Sequence, residues 1–218
     1  MNKKEKKERL SLICDRLKEI YPNPVCALEY GGDPWRLLIM ARLSAQCTDA
    51  RVNAVCKRLF ARFPNARALA EGEIEEIEQI IKPCGLYHVK AENIRAASWM
   101  LVKEYCGTVP DSMEELLRFP GVGRKVANLV LGDIYGRDVV VCDTHCMRIS
   151  ARLGMYPESL NNPDKIEKIM LELMPKGEGS DYCHRIVEFG RQYCPARGFK
   201  CGECPLSDLC EHNLSGKK

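Results

Sequence analysis

The chain has 218 residues, 45% of them hydrophobic and 29% charged, with a net charge of +3. That length supports one or two compact domains with a sizeable core, and the composition excludes a disordered, fibrous or membrane-embedded chain. With 33 basic against 30 acidic residues, any face that binds a polyanion must come from local segregation of charge.

The first ten residues, MNKKEKKERL, carry positive charge with no apolar run behind it. This is not a secretory signal, and the expected location is a prokaryotic cytoplasm, at the nucleoid. Leu10, Ile13, Leu17 and Ile20 recur at helical spacing and stop at Tyr21-Pro22-Asn23-Pro24. Trp35, Leu38, Ile39 and Arg42-Leu43 predict a second helix. Val52, Val55 and Leu59 predict a third, capped by Thr48 or Asp49. Ile74, Ile77, Ile80 and Ile81 predict another, ended by Pro83 and Gly85. A long helix follows from about Val89 to Tyr105, and Ser112-Met-Glu-Glu115 reads as a capping box. Val139-Val140-Val141 is the strand-like run, too isolated to define a sheet. Asn213–Lys218 reads as a loose tail. The expected fold class is therefore all-α.

Phe119-Pro-Gly-Val-Gly-Arg-Lys-Val-Ala-Asn-Leu129 lies between two helical patterns. Gly121 and Gly123 permit positive φ and close backbone approach. The following helix starts with free N–H groups and a positive dipole end, which suits a DNA phosphate. Pro-Gly alone is a plain turn, whereas the full run points to a helix–hairpin–helix motif. Lys125, beside Arg124 in the first helical turn, has two readings. The dipole and the neighbouring cation both push it toward a neutral amine, the dipole alone by less than a pKa unit. A nucleophile needs burial as well, or a desolvated substrate complex, and otherwise the lysine binds phosphate.

Asp143, in Val141-Cys-Asp-Thr-His145-Cys-Met-Arg148, is placed to cap the next helix. A capping carboxylate at a cavity edge stays ionised and can also stabilise a developing sugar cation or move protons. His145 alone reads as a structural histidine.

Thirteen cysteines without an export signal do not predict a disulfide framework. Nine are scattered, several within apolar helical patterns (Cys14, Cys47, Cys56), and read as small buried hydrophobes. Cys194, Cys201, Cys204 and Cys210 form Cys-x6-Cys-x2-Cys-x5-Cys, which fits zinc or an iron–sulfur cluster, with the single short pair less typical of zinc. The basic loop between the first two presents Arg197 and Lys200, either to phosphates or to solvent.

The hairpin with Lys125, the Val-Cys-Asp143-Thr-His145 segment and the cysteine ending together resemble the endonuclease III family, the iron–sulfur branch of the helix–hairpin–helix DNA glycosylases. Leu43-Ser-Ala-Gln46-Cys-Thr-Asp49 and Gly85-Leu86-Tyr87 with Lys90-Ala-Glu-Asn93 match further pieces in the same order. The resemblance implies a two-lobed all-α fold with DNA bound between the lobes. One domain spans residues 27–138, with the hairpin motif at about 112–135; the other joins 1–26 to 139–218 and carries a [4Fe–4S] cluster on the four cysteines. It implies a monomeric bifunctional DNA glycosylase and AP lyase of base excision repair. The substrate is double-stranded DNA with damaged pyrimidines or abasic sites, and no membrane is involved. Lys125 is then the Schiff-base nucleophile and Asp143 its electrostatic partner. Gln46 fills the gap left by the flipped base, Leu86 wedges near its partner, and Gly121 and Gly123 hold phosphate. Arg124, His145, Arg197 and Lys200 complete the DNA contacts.

Departures from the family pattern are Val126 for a usual threonine, Cys146 for an aliphatic residue, Cys47 after Ala-Gln, and Phe119 for a leucine. The competing readings are a monofunctional sister glycosylase and a non-catalytic, metal-stapled DNA-binding module. Lys125 argues against the first, and the short sequence after the cysteines leaves no room for the extra domain of the adenine-specific branch. An electron carrier is a weak third.

Overall fold

A computed structural model describes residues 1–216. It contains helices and no strand among the described residues. Contacts divide the chain into two compact units: Cys26–Gly136, and Met1–Val25 joined to the chain from Arg137 onward.

The Cys26–Gly136 unit holds α2 (Pro34–Leu43), α3 (Asp49–Arg62), α4 (Ala66–Ala70), α5 (Ile74–Ile81), α6 (Tyr87–Glu104), α7 (Met113–Leu116) and α8 (Arg124–Tyr135). Asp33 starts α2 by accepting from the N–H groups of Trp35 and Arg36, with Pro34 in the first turn where its missing donor costs nothing. Leu37, Leu38, Ile39 and Leu43 of α2 are buried with Val52, Val55 and Leu59 of α3 and Ile94 and Leu101 of α6. Trp35 stacks near Phe60, ring centroids 5.3 Å apart, and its Nε1 donates to buried Ser98 Oγ at 3.1 Å. Such a partner is what lets an indole enter a core. α2 packs on α8, which sets the hairpin at the start of α8 against the end of α2.

Several local expectations shift. Thr48 precedes α3 but makes no side-chain cap bond. Pro83 and Gly85 do end α5, through a 3₁₀ turn at Lys82–Cys84. α6 begins at Tyr87, two residues before the expected start, and α7 is a single turn capped by Ser112. α4, capped by Asn65 Oδ1 on the N–H of Ala68, has no counterpart in the periodicity.

The other unit holds α1 (Lys3–Ile20), α9 (Thr144–Arg152), α10 (Pro163–Leu173), α11 (Gly179–Gln192) and α12 (Glu211–Leu214). α1 opens with a reciprocal capping box between Asn2 and Glu5 and buries Leu10, Ile13 and Leu17. α11 packs on α1 and α9. Its Gly190 is required there, because a Cβ at that position would lie 2.6 Å from His145 Cδ2 and 2.7 Å from Ile149 Cδ1. Asp138 accepts from the N–H groups of Gly177 (2.8 Å) and Gly179 (3.3 Å), tying the chain entering this unit to the start of α11. Val139–Val141 runs without a ladder partner. Asn213 and Leu214 close α12; the last two residues of the expected loose tail, 217 and 218, lie outside the described residues.

Among the described residues, no helix is long and apolar enough to cross a membrane. All thirteen cysteines are free of disulfides. Cys14, Cys56, Cys84, Cys146 and Cys183 are buried, as small hydrophobes should be. Cys26, Cys47 and Cys142 are only half-buried, and Cys106 departs from that reading altogether: it is exposed, in a left-handed turn with φ +50°.

Candidate functional site

The hairpin is held from below. Phe119 is buried, its ring 5.1 Å from that of Tyr105. Gly121 has φ +73°, and a Cβ there would lie 2.1 Å from Arg42 Nε and 3.0 Å from Asn93 Cγ. Glycine is thus demanded twice, by conformation and by space. Gly123 is different. Its φ of −104° and ψ of 178° are open to any residue, and a Cβ would meet nothing within 4 Å. The expectation of positive φ holds at Gly121 alone; what glycine leaves at 123 is a bare outer surface. As the N-cap of α8, Gly123 supplies no side-chain acceptor, so the first-turn N–H groups keep the anion-binding character of a helix start. Lys125 stands exposed in that turn. Arg124 is half-buried, and Val126, Ala127 and Asn128 anchor the helix inward.

Gln46 and Leu86 share an unusual backbone. Both are non-glycine residues in left-handed conformation, φ +54° and +49°, and both are exposed, Leu86 by 62%. Such residues are uncommon and persist where surroundings over-determine them. Here the surrounding is Lys90. Its side chain is 1% exposed, and its Nζ donates to the carbonyls of Leu43 at 2.9 Å and Cys84 at 2.8 Å. One ammonium therefore ties the chain leading to Gln46 to the chain leading to Leu86. Burial lowers the pKa of Lys90, and the two charge-assisted hydrogen bonds offset the cost of burying it. Beyond its place in the Lys90-Ala-Glu-Asn93 match, the signal for Lys90 is that it shares the buried face of α6 with Ile94, Ala97 and Leu101, where a lysine is out of place.

Asp143 is the N-cap of α9. Its Oδ1 accepts from the N–H of Cys146 at 2.7 Å, and its Oδ2 lies 3.5 Å from Nδ1 of His145. The carboxylate is held by the helix start and remains partly open to solvent, with 18% of its side chain exposed.

Cys194, Cys201, Cys204 and Cys210 line a single cavity with Leu153, Phe189 and Phe199. Burial, assisted by the neighbouring cysteines, pushes the Cys204 thiol up to about 11 and raises Cys210 as well. Protons on such crowded thiols are what a bound cationic centre replaces. His212 lies beside this cavity with Nδ1 3.0 Å from Glu158 Oε1. Arg197 and Lys200 are exposed on the Cys194–Cys201 loop.

Arg152, which the motifs did not single out, organises that loop. Its Nη1 donates to Cys194 Sγ and to the carbonyl of Pro195, both at 3.1 Å, and its guanidinium lies 4.4 Å from the Phe199 ring centre. Its own carbonyl accepts from Cys210 Sγ at 3.3 Å. The sequence holds no local signal for this, because 42 residues separate Arg152 from Cys194.

An all-helical chain with a glycine turn opening a helix, a lysine in that helix's first turn and a four-cysteine end is of the helix–hairpin–helix class. The model of the HhH-GPD superfamily of base excision DNA repair proteins matches residues 39–176. Endonuclease III of Synechocystis sp. is 44% identical, covering 94% of this chain and 93% of its own length. The chain belongs to the HhH-GPD superfamily and, within it, to the endonuclease III family. Among solved structures, a non-covalent endonuclease III–DNA complex superposes with a TM-score of 0.90 at 38% identity, covering 96% of this chain and 97% of that one. A trapped endonuclease III–DNA covalent intermediate superposes equally well, at 38% identity, covering 97% and 99%.

Proposed function

We propose that this chain is a bifunctional DNA glycosylase and AP lyase of base excision repair, acting on oxidised or ring-saturated pyrimidines in double-stranded DNA. The observation that carries the reading is Lys125: an exposed amine in the first turn of the hairpin helix, in a family with a member trapped covalently on DNA.

The turn at Gly121 and Gly123 takes a backbone phosphate on its N–H groups. The damaged nucleotide leaves the duplex, Gln46 fills the vacated space and Leu86 separates the orphaned base from its neighbours. The Lys125 amine attacks C1′ of the flipped deoxyribose. The C1′–N bond forms as the bond to the base breaks, and the base leaves with the electron pair and takes up a proton. Opening of the sugar ring converts the adduct to a protonated Schiff base. Loss of a 2′ proton then expels the 3′ phosphate and cuts the strand by β-elimination. Asp143 stabilises the cationic sugar and assists the proton transfers. Arg124, His145, Arg197 and Lys200 supply further contacts to the backbone.

Cys194, Cys201, Cys204 and Cys210 are the residues to hold a [4Fe–4S] cluster. Their shared cavity supports this. The cluster's contribution when bound is structural, a staple for the loop that carries Arg197 and Lys200. The chain acts as a monomer in the cytoplasm, at the nucleoid.

The test is borohydride trapping. Duplex DNA with thymine glycol is incubated with the protein and reduced, beside Lys125→Gln. A covalent complex that vanishes in the variant is expected. Tight binding and base release without a cross-link would replace the lyase with a monofunctional glycosylase; binding alone would leave a DNA-binding module.

A further inference from the structure

Arg42 is in the last turn of α2, and nothing in the motifs gives it a role. Its side chain lies across the hairpin turn: a Cβ on Gly121 would meet Nε at 2.1 Å and Cδ at 2.8 Å. The Nε is buried without an acceptor. Among the described residues no carboxylate or carbonyl binds this guanidinium. The contrast with other arginines is clear: Arg62 pairs with Glu76, Arg118 with Glu104, and Arg152 with the carbonyls of the cysteine loop. Burial lowers the pKa of Arg42, and after burial itself Arg42 adds to what depresses buried Lys90.

A guanidinium is always charged, and placing one half-buried beside a second cation is unfavourable unless an anion completes the set. The residue is only partly covered, so the end of the fork without a buried partner opens to solvent beside the turn. That turn is the one whose N–H groups already favour an anion. We propose that Arg42 completes the phosphate site of the hairpin, its terminal nitrogens binding the DNA backbone next to the phosphate held by the turn. The inference rests on the DNA-binding reading above and adds a backbone contact outside the hairpin sequence. It makes Arg42 a positioning residue that fixes the duplex on the turn without touching the reacting sugar.

The test is the salt dependence of binding to a duplex with a non-cleavable abasic analogue. Arg42→Met keeps the apolar stem against Gly121 and removes the charge. The slope of log affinity against log salt is expected to fall by about one, equally for damaged and undamaged duplex. Arg42→Lys should recover part of the slope. An unchanged slope in Arg42→Met, with wild type binding normally, overturns the inference and leaves Arg42 as packing for the turn. Wild type that fails to bind the duplex at all overturns the DNA-binding reading itself. If Arg42→Met does not fold, as judged by thermal melting, Arg42→Gln carries the same comparison.

Discussion

Lys90 reaches through the core of its unit to the carbonyl of Leu43, and the 2.9 Å bond it makes there has a twin at Cys84. Removing the ammonium strands two buried carbonyls that have lost a charged donor. Lys90→Met is expected to cost about 2–4 kcal/mol in urea unfolding. Hydrogen exchange should also quicken at residues 44–47 and 84–86, ahead of the rest of the unit. A loss below about 0.5 kcal/mol would mean that the two loops hold their left-handed residues without this brace.

The two hairpin glycines should separate cleanly. Gly121→Ala places a methyl in a left-handed residue and against Arg42, and is expected to cost about 2 kcal/mol or more. Gly123→Ala meets nothing and has ordinary dihedrals, so stability should hold or rise by up to about 1 kcal/mol. DNA affinity should nonetheless fall in Gly123→Ala, since the methyl covers the bare face offered to phosphate. Equal melting losses in the two variants would contradict this division.

Asp143 combines a cap with a carboxylate, and substitution can divide them. Asparagine caps as well as aspartate, so Asp143→Asn should lose only a few tenths of a kcal/mol. Asp143→Ala should lose about 1 kcal/mol. Both should lower single-turnover base release by roughly 10²–10⁴-fold, the range for a lost proton-transfer group. Normal release by the asparagine variant would confine Asp143 to the cap.

Arg152 bears on the cysteine loop. Arg152→Met removes the donor to Cys194 Sγ and the two carbonyl contacts at Pro195 and Ala196. Iron per protein and the visible absorbance of the cluster should decay faster under a chelator than in wild type. Affinity for undamaged duplex should drop along with them, because the same loop presents Arg197 and Lys200. Identical decay in the two proteins would show that the four thiolates hold the loop unaided.

Asp208 gives a pH signature. It accepts from Arg16 of α1, which also donates to the carbonyl of Pro205 at 2.8 Å, so α1 is tied to the segment between Cys204 and Cys210. The Arg16 hydrogen bond holds the Asp208 carboxyl below its ordinary value of 3.8. A depressed folded-state pKa means that the stabilisation is complete above the unfolded value and is lost as pH falls through the folded one. The pair is largely solvent-exposed, so its worth is at most about 1 kcal/mol. Asp208→Asn should therefore melt slightly lower than wild type at pH 7, and the difference should close below about pH 3.8. A gap that persists at pH 2 would point to packing instead of charge.

Periodicity was enough for the all-helical class, because the buried faces of α1, α2, α3 and α5 recur at 3.6-residue spacing within each segment. It missed α4, whose five residues are too few to show a repeat and which packs on α6. The candidates visible in the sequence are those whose chemistry is local: the glycine turn with Lys125, the capping aspartate, and four cysteines within seventeen residues. Lys90, Arg42, Gly190 and Arg152 escaped because their meaning lies in partners remote along the chain. Leu43 is 47 residues from Lys90, and Cys194 is 42 from Arg152. A lysine or arginine in isolation looks like a solvated charge. Only the folded chain decides which are buried against carbonyls, which are laid against a glycine turn, and which are left without a counter-ion, since desolvation and hydrogen-bond geometry are properties of the packed neighbours and not of the residue.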